Sequence, residues 1–185
     1  MMISPALILA CAAQVAPGTI QAIARVESGG DPYVLNIVGV GAIHAHNASE
    51  AIARTQRAVA QGHNVAMGLM QVTTHTAIRL GYTIPQLFEP CTNLHAGAQV
   101  LTENYRAASR SRGEGQTALQ AALSAYNTGN FQSGFSNGYV ALYYSGKAGK
   151  PFYMGRNPAE MPINSYTAPS AVFIRQVLTH DTTEN

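Results

Sequence analysis

An apolar helical stripe that ends on a carboxylate constrains this chain more than any other feature. From Pro17 to Ser28, the residues Ile20, Ile23, Ala24 and Glu27 fall at i, i+3, i+4 and i+7, one face of a helix, while Gln21 and Arg25 lie off it. Pro17 suits the first helical turn, and Gly29-Gly30 followed by Asp31-Pro32 stops the helix at once. The acids are Glu27, Asp31, Glu50, Glu89, Glu103, Glu114, Glu160, Asp181 and Glu184, and only Glu27 lies on a predicted apolar face. Burial without a cationic partner raises a carboxyl pKa. A carboxylic acid still protonated near neutral pH is what a general acid at a glycosidic oxygen requires. The alternative is that Glu27 reaches past the helix end into water, and spacing alone leaves both readings open.

The remaining pattern is mainly α with at most a small β-hairpin. Residues 33–46 are β-branched and glycine-rich and read as that hairpin. Asn47 and Glu50 have capping-box spacing for a surface helix to about Gln61, ended by Gly62. A further helix is expected within Gly68–Leu80, stopped by Gly81 and Pro85. Leu94, Ala98, Leu101, Tyr105 and Ala108 give the best amphipathic helix, Thr92 to Ala108. A polar turn over Ser109–Gly115 leads into a second apolar helix, Thr117 to Tyr126, and Phe135 to Ser145 is aromatic and helical. After Gly149 come Pro151, Pro158, Pro162 and Pro169. The expected division is therefore a domain over 1–149 and an irregular wrap or mobile tail over 150–185.

At 185 residues the chain is about one domain, on a prior of roughly 100–200 residues each. Charged residues are 11% against a usual ~25%, but 46% hydrophobic content is too high for a disordered polymer. A net charge of +2 gives no electrostatic case for nucleic acid. No window reaches the roughly 18 apolar residues of a membrane span. Ile3 to Ala16 is apolar but short, with no Lys or Arg before it, so a secretory signal is incomplete and the chain is expected to begin near its mature start or to have a late start. Cys11 and Cys91 are the whole thiol inventory, compatible with a disulfide or with two buried thiols.

Other chemistries fit poorly. Neither cysteine sits in a strained Gly-rich turn beside a histidine, and Ser28 lacks a nucleophile-elbow context. His44 and His46 could be a metal pair, but no third ligand is suitably spaced, and loop decoration is favoured. The run Tyr139, Tyr143, Tyr144 reads more as core than as a sugar platform.

Three segments in order shift this balance: Glu27-Ser28-Gly29-Gly30-Asp31-Pro32, Gly68-Leu69-Met70-Gln71 and Ala125-Tyr126-Asn127-Thr128-Gly129. Phe88-Glu89-Pro90 with Asn93-Leu94 and Gly97, then Gly138-Tyr139-Val140, join them. Over about residues 15–145 the set resembles the soluble lytic transglycosylases of the goose-type lysozyme superfamily. Cys91-Thr92-Asn93-Leu94 and the long segment between the first two motifs look most like the small transglycosylases of type IV secretion and conjugation systems. Thr74 and Asn130 stand where many relatives have Pro, and Tyr139 lacks the usual acid upstream.

The resemblance implies a lysozyme-like helical domain with peptidoglycan glycan strands in a cleft. It makes Glu27 the catalytic acid and Ser28 a hydroxyl hydrogen-bonding near its carboxyl. It places Gly68, Met70 and Gln71 on the cleft floor, and Tyr126, Asn127 and Tyr139 facing acid and sugar. It implies cleavage of the MurNAc-GlcNAc bond with 1,6-anhydro ring closure, without metal or organic cofactor. The alternatives are a hydrolytic muramidase and a noncatalytic wall-binding scaffold. It further implies a periplasmic monomer acting beside other type IV secretion components, with no nucleic-acid partner. That compartment favours a Cys11–Cys91 disulfide, although no export signal is evident.

Overall fold

The computed structural model describes residues 3–144. Its spine is a helix, Pro90–Arg112, which the sequence stripe foresaw over 92–108. Pro90 occupies its first turn, where a missing N–H costs nothing. Leu94, Ala98, Leu101, Tyr105 and Ala108 are buried as expected, and so are Asn93, Ala96, Gly97 and Thr102 on the adjoining sides. The predicted polar turn shortens to three residues, 113–115, where the Gly115 amide donates to the Tyr105 hydroxyl at 2.9 Å. The next helix, Gln116–Thr128, packs along the spine and buries Ala118, Ala121 and Ala122 together with Leu119 and Leu123.

The apolar opening segment is part of this core. Ser4 caps a helix, α1 (Pro5–Cys11), by accepting from the Leu7 amide at 3.2 Å. Ile8, Cys11, Ala12 and Val15 are buried in the common core cluster. The Cys11–Cys91 disulfide pins this segment to the spine, which is the fifth helix of the chain and is called α5; the helix after it is α6. Closing an 80-residue separation is worth about 4–5 kcal/mol on the chain-entropy view.

The second helix, α2 (Pro17–Ser28), buries Ile20, Ile23, Ala24 and Ser28. Gly29 and Gly30 follow at φ 64° and 82°, a region that side chains resist, and their amides return to the Arg25 and Ala24 carbonyls. The hairpin expected over 33–46 is present as β1 (Val34–Ile37) and β2 (Gly41–His44). Two further strands extend it, β3 (Val65–Met67) and β4 (Val72–Thr73), giving an antiparallel sheet in the order β2-β1-β3-β4. Strands of three and two residues are too short for an alternating pattern to register. The capped helix α3 (Ala48–Ala60) crosses between β2 and β3, with the Glu50 amide donating to Asn47 Oδ1 at 3.0 Å.

The helix expected within 68–80 starts only at Thr74, as α4 (Thr74–Leu80), because 68–73 is spent on a tight turn and on β4. The aromatic segment divides into α7 (Ser133–Ser136) and α8 (Tyr139–Tyr144), separated by Asn137 and by Gly138 at φ 82°. The mainly α reading thus holds, with a small sheet along one side. Among the described residues no helix is long and apolar enough to cross a membrane. The tail expectation for 150–185 lies outside the described residues.

Candidate active site

Glu27 is the penultimate residue of α2, so the glycine turn ends the helix directly behind it. Its side chain is partly buried and receives a hydrogen bond on Oε1 from the Tyr139 hydroxyl of α8. Burial pushes the Glu27 carboxyl up from 4.5 to about 7, and the Tyr139 hydrogen bond acts in the opposite direction without overcoming it. Tyr143, one turn further along α8, donates to the Tyr139 hydroxyl at 2.7 Å, the rings meeting edge-on at 5.3 Å. Burial, reinforced by the negative charge of Glu27, raises the phenol pKa of Tyr126, Tyr139 and Tyr143, so all three are neutral donors.

The wall behind the acid is the Gly68–Gln71 turn, whose carbonyls are held by α2, by α6 and by the turn's own Gln71. The Ser28 hydroxyl lies 2.9 Å from the Leu69 carbonyl and 2.8 Å from that of Ala24, and accepts from the Gly30 amide at 3.2 Å. The Tyr126 hydroxyl, from α6, donates to the Met70 carbonyl at 2.6 Å. Gln71 has the sole positive φ among described non-glycine residues, 48°, and its Nε2 donates to the Gly68 carbonyl at 2.9 Å and to Val34 at 3.3 Å. Under the turn, Asn93 of α5 donates to the Met67 and Leu87 carbonyls at 2.9 and 2.7 Å and accepts the Met70 amide at 2.7 Å. Gly68 has φ +70°, and a Cβ there would come within 2.6 Å of Asn93 and 2.9 Å of the Leu87 carbonyl oxygen.

The geometry gives Ser28 and Met70 specific partners. Ser28 bonds backbone rather than the Glu27 carboxyl, because its hydroxyl is buried between α2 and the turn. Met70 reaches no open floor: its side chain is fully buried, packed where a Cβ on Gly97 would fall within 2.5 Å. Asn127 is exposed, and its Oδ1 accepts from Asn137 at 3.0 Å. Glu27, Tyr126 and Tyr139 are brought together; Gly68 and Gln71 shape the wall.

Two participants were given no role at the site from sequence. Tyr143 was read as core, although its i+4 spacing from Tyr139 puts both hydroxyls on one helix face. Asn93 stands within the motif segments that carry the resemblance, but they assigned it no role. The second nearby acid, Asp31, accepts from the Tyr33 amide at 2.8 Å and meets His44 Nδ1 at 2.8 Å. His44 is thereby paired with a carboxylate, and no cluster of three or more metal-ligating residues exists among the described residues.

The chain is similar to known proteins over most of its length. It is 38% identical over 172 residues to the type IV secretion system protein virB1 of Brucella suis biovar 1 (strain 1330), covering 91% of this chain and 68% of that protein. It is 37% identical over 165 residues to the virB1 protein of Brucella abortus (strain 2308), covering 87% and 66%. With protein virB1 of Agrobacterium fabrum (strain C58) it shares 38% identity over 131 residues, covering 70% and 53%. The chain thus spans about two thirds of the Brucella proteins and about half of the Agrobacterium one. No solved structure matches it. A family model described as the transglycosylase SLT domain matches residues 5–141, a span that holds Glu27, the 68–71 turn, Tyr126 and Tyr139. The chain therefore belongs to the transglycosylase SLT domain family.

Proposed function

We propose that this chain is a peptidoglycan lytic transglycosylase that opens the wall locally for a type IV secretion apparatus. The observation that carries the reading is a carboxyl raised to about 7 by burial and held by the neutral Tyr139 phenol. In the first step Glu27 gives its proton to the glycosidic oxygen as the bond from that oxygen to the muramic acid C1 breaks. The sugar's own N-acetyl carbonyl stabilises the electron-poor C1. In the second step the Glu27 carboxylate takes the proton of the same sugar's C6 hydroxyl. That oxygen bonds to C1, closing the 1,6-anhydro ring and returning Glu27 to its starting state. An attached hydroxyl has a high effective molarity, so no water need be delivered. A carboxyl with a pKa near the working pH serves both as acid and as base.

A two-carboxylate glycosidase would need a second free acid across the bond. Asp31 is the near candidate by sequence, and its two oxygens are engaged by Tyr33 and His44. Ser28, Tyr126 and Gln71 act in this scheme by holding the 68–71 wall, and the exposed Asn127 offers its amide N–H groups to a sugar. The type IV secretion context comes from the names of the relatives. A disulfide fits an oxidising compartment, hence the periplasm.

The test is digestion of purified peptidoglycan with mass analysis of the fragments. Anhydro products, lighter by one water than hydrolytic ones and without a borohydride-reducible end, are expected, and Glu27→Gln should produce none. Reducible ends would make the protein a muramidase. Binding to sacculi with no fragments from the unmutated chain would leave only a scaffold role.

A further inference from the structure

The acid's second oxygen and its second tyrosine carry one more inference, which rests on the transglycosylase reading above. We propose that Tyr143 is a positioning residue that keeps the catalytic proton on Oε2 of Glu27, the oxygen that Tyr139 does not engage, by occupying the acceptor side of the Tyr139 hydroxyl. A phenol oxygen has one proton and one good in-plane acceptor direction. Tyr143 fills that direction from 2.7 Å, so the Tyr139 proton points at Glu27 Oε1. Oε1 already accepts a hydrogen bond, and when Glu27 is neutral its proton therefore resides on Oε2. The reversed chain would have Glu27 donating to Tyr139 and Tyr139 donating to Tyr143. The Tyr143 O–H would then be left without its acceptor in a buried place, which is costly. Without Tyr143, the Tyr139 hydroxyl is free to turn and take the Glu27 proton, holding it away from the glycosidic oxygen.

Among the described residues, Tyr139 and Tyr143 from α8 face Glu27, as does Tyr126 from α6, whose proton is committed to the Met70 carbonyl. Ser28, beside it on α2, is committed to backbone. Tyr143 is thus the group whose removal changes the direction of the chain rather than its charge.

The experiment uses the full chain and its Tyr143→Phe variant, with Glu27 observed by carbon NMR of the labelled carboxyl and turnover measured on peptidoglycan fragments. In the variant, kcat should fall about tenfold with KM unchanged, the scale of one misdirected hydrogen bond. The Glu27 pKa should rise, since Tyr139 becomes a poorer donor to the carboxylate and an available acceptor for the acid. Mere loosening of the pocket would admit water and lower that pKa, so a downward shift, or none, overturns the proposal. In a Tyr139→Phe background, adding Tyr143→Phe should leave the Glu27 pKa where it is, and an undiminished further shift also overturns it. Tyr144→Phe, whose hydroxyl meets Gln116 at 3.3 Å, serves as the control and should match the parent. Because the titration is read without turnover, it stands apart from the activity reading: an unmutated chain that yields no anhydro product defeats the latter while the carboxyl shift still reports on the tyrosine relay.

Discussion

Glu27 and Asp31 are four residues apart, on either side of one Gly-Gly turn, and the fold gives them opposite surroundings. The inner side of the turn holds Glu27 against neutral tyrosines and a wall of satisfied backbone carbonyls. The outer side leaves Asp31 partly exposed, its side chain 31% accessible, beside His44 at 68%. Both carboxyls accept hydrogen bonds, and at Glu27 the neutral donor offsets the cost of desolvation only in part. The difference teaches that a raised carboxyl here is made by desolvation, which its one neutral donor offsets only in part.

That contrast can be broken most directly at the acids themselves. Glu27→Gln should lower wall cleavage by about 10²–10⁴-fold, the range of a lost general acid, while Asp31→Asn should stay within a few-fold. Release of labelled glycan fragments from sacculi measures both, and comparable losses would erase the distinction.

The inner wall comes next. Asn93→Ala removes bonds to three backbone groups, and should lower unfolding free energy by about 3 kcal/mol or more. Gly68→Ala should cost a similar amount, from a positive φ and a Cβ pressed on Asn93 and the Leu87 carbonyl. Urea unfolding with unchanged m-value reads both, and a loss under about 1 kcal/mol would show the turn to be less constrained than drawn.

Stability against pH sharpens the same point. The folded Glu27 holds its proton up to about 7, while an unfolded one releases it near 4.5. Between those values the folded state binds more protons, so this group's contribution falls as pH rises from 4.5 through 7 and is level above. The difference corresponds to about 3 kcal/mol at most. Glu27→Gln should remove that slope, leaving the variant more stable than the parent at pH 8, as thermal midpoints across pH 4–9 would show.

The smallest effect belongs outside. His44→Ala breaks an exposed pair and should cost under about 1 kcal/mol. A larger loss in the same melts would mean that the outer carboxyl, too, is structurally committed.

Much of the scaffold was legible because its causes are short-range. Helix periods over 17–28 and around 92–108, the Asn47 cap and the glycine stops all depend on neighbours within a turn, and each appears where the pattern put it. The carboxyl on the α2 stripe was visible for the same reason. The motif order pointed to Tyr126 and Tyr139 through resemblance, and local spacing could not have done so.

Sequence alone therefore determined that an acid would stand at the end of an apolar helix face, just before a left-handed turn. Whether that acid would be wetted or enclosed was decided by α8, since Tyr139 lies 112 residues away along the chain. Tertiary packing likewise turned Ser28 and Met70 toward backbone and core, drew Asn93 under the 68–71 turn, and made the short strands β3 and β4 worth forming. Desolvation is a sum over everything that displaces water from a group, and no stretch of neighbouring residues contains that sum.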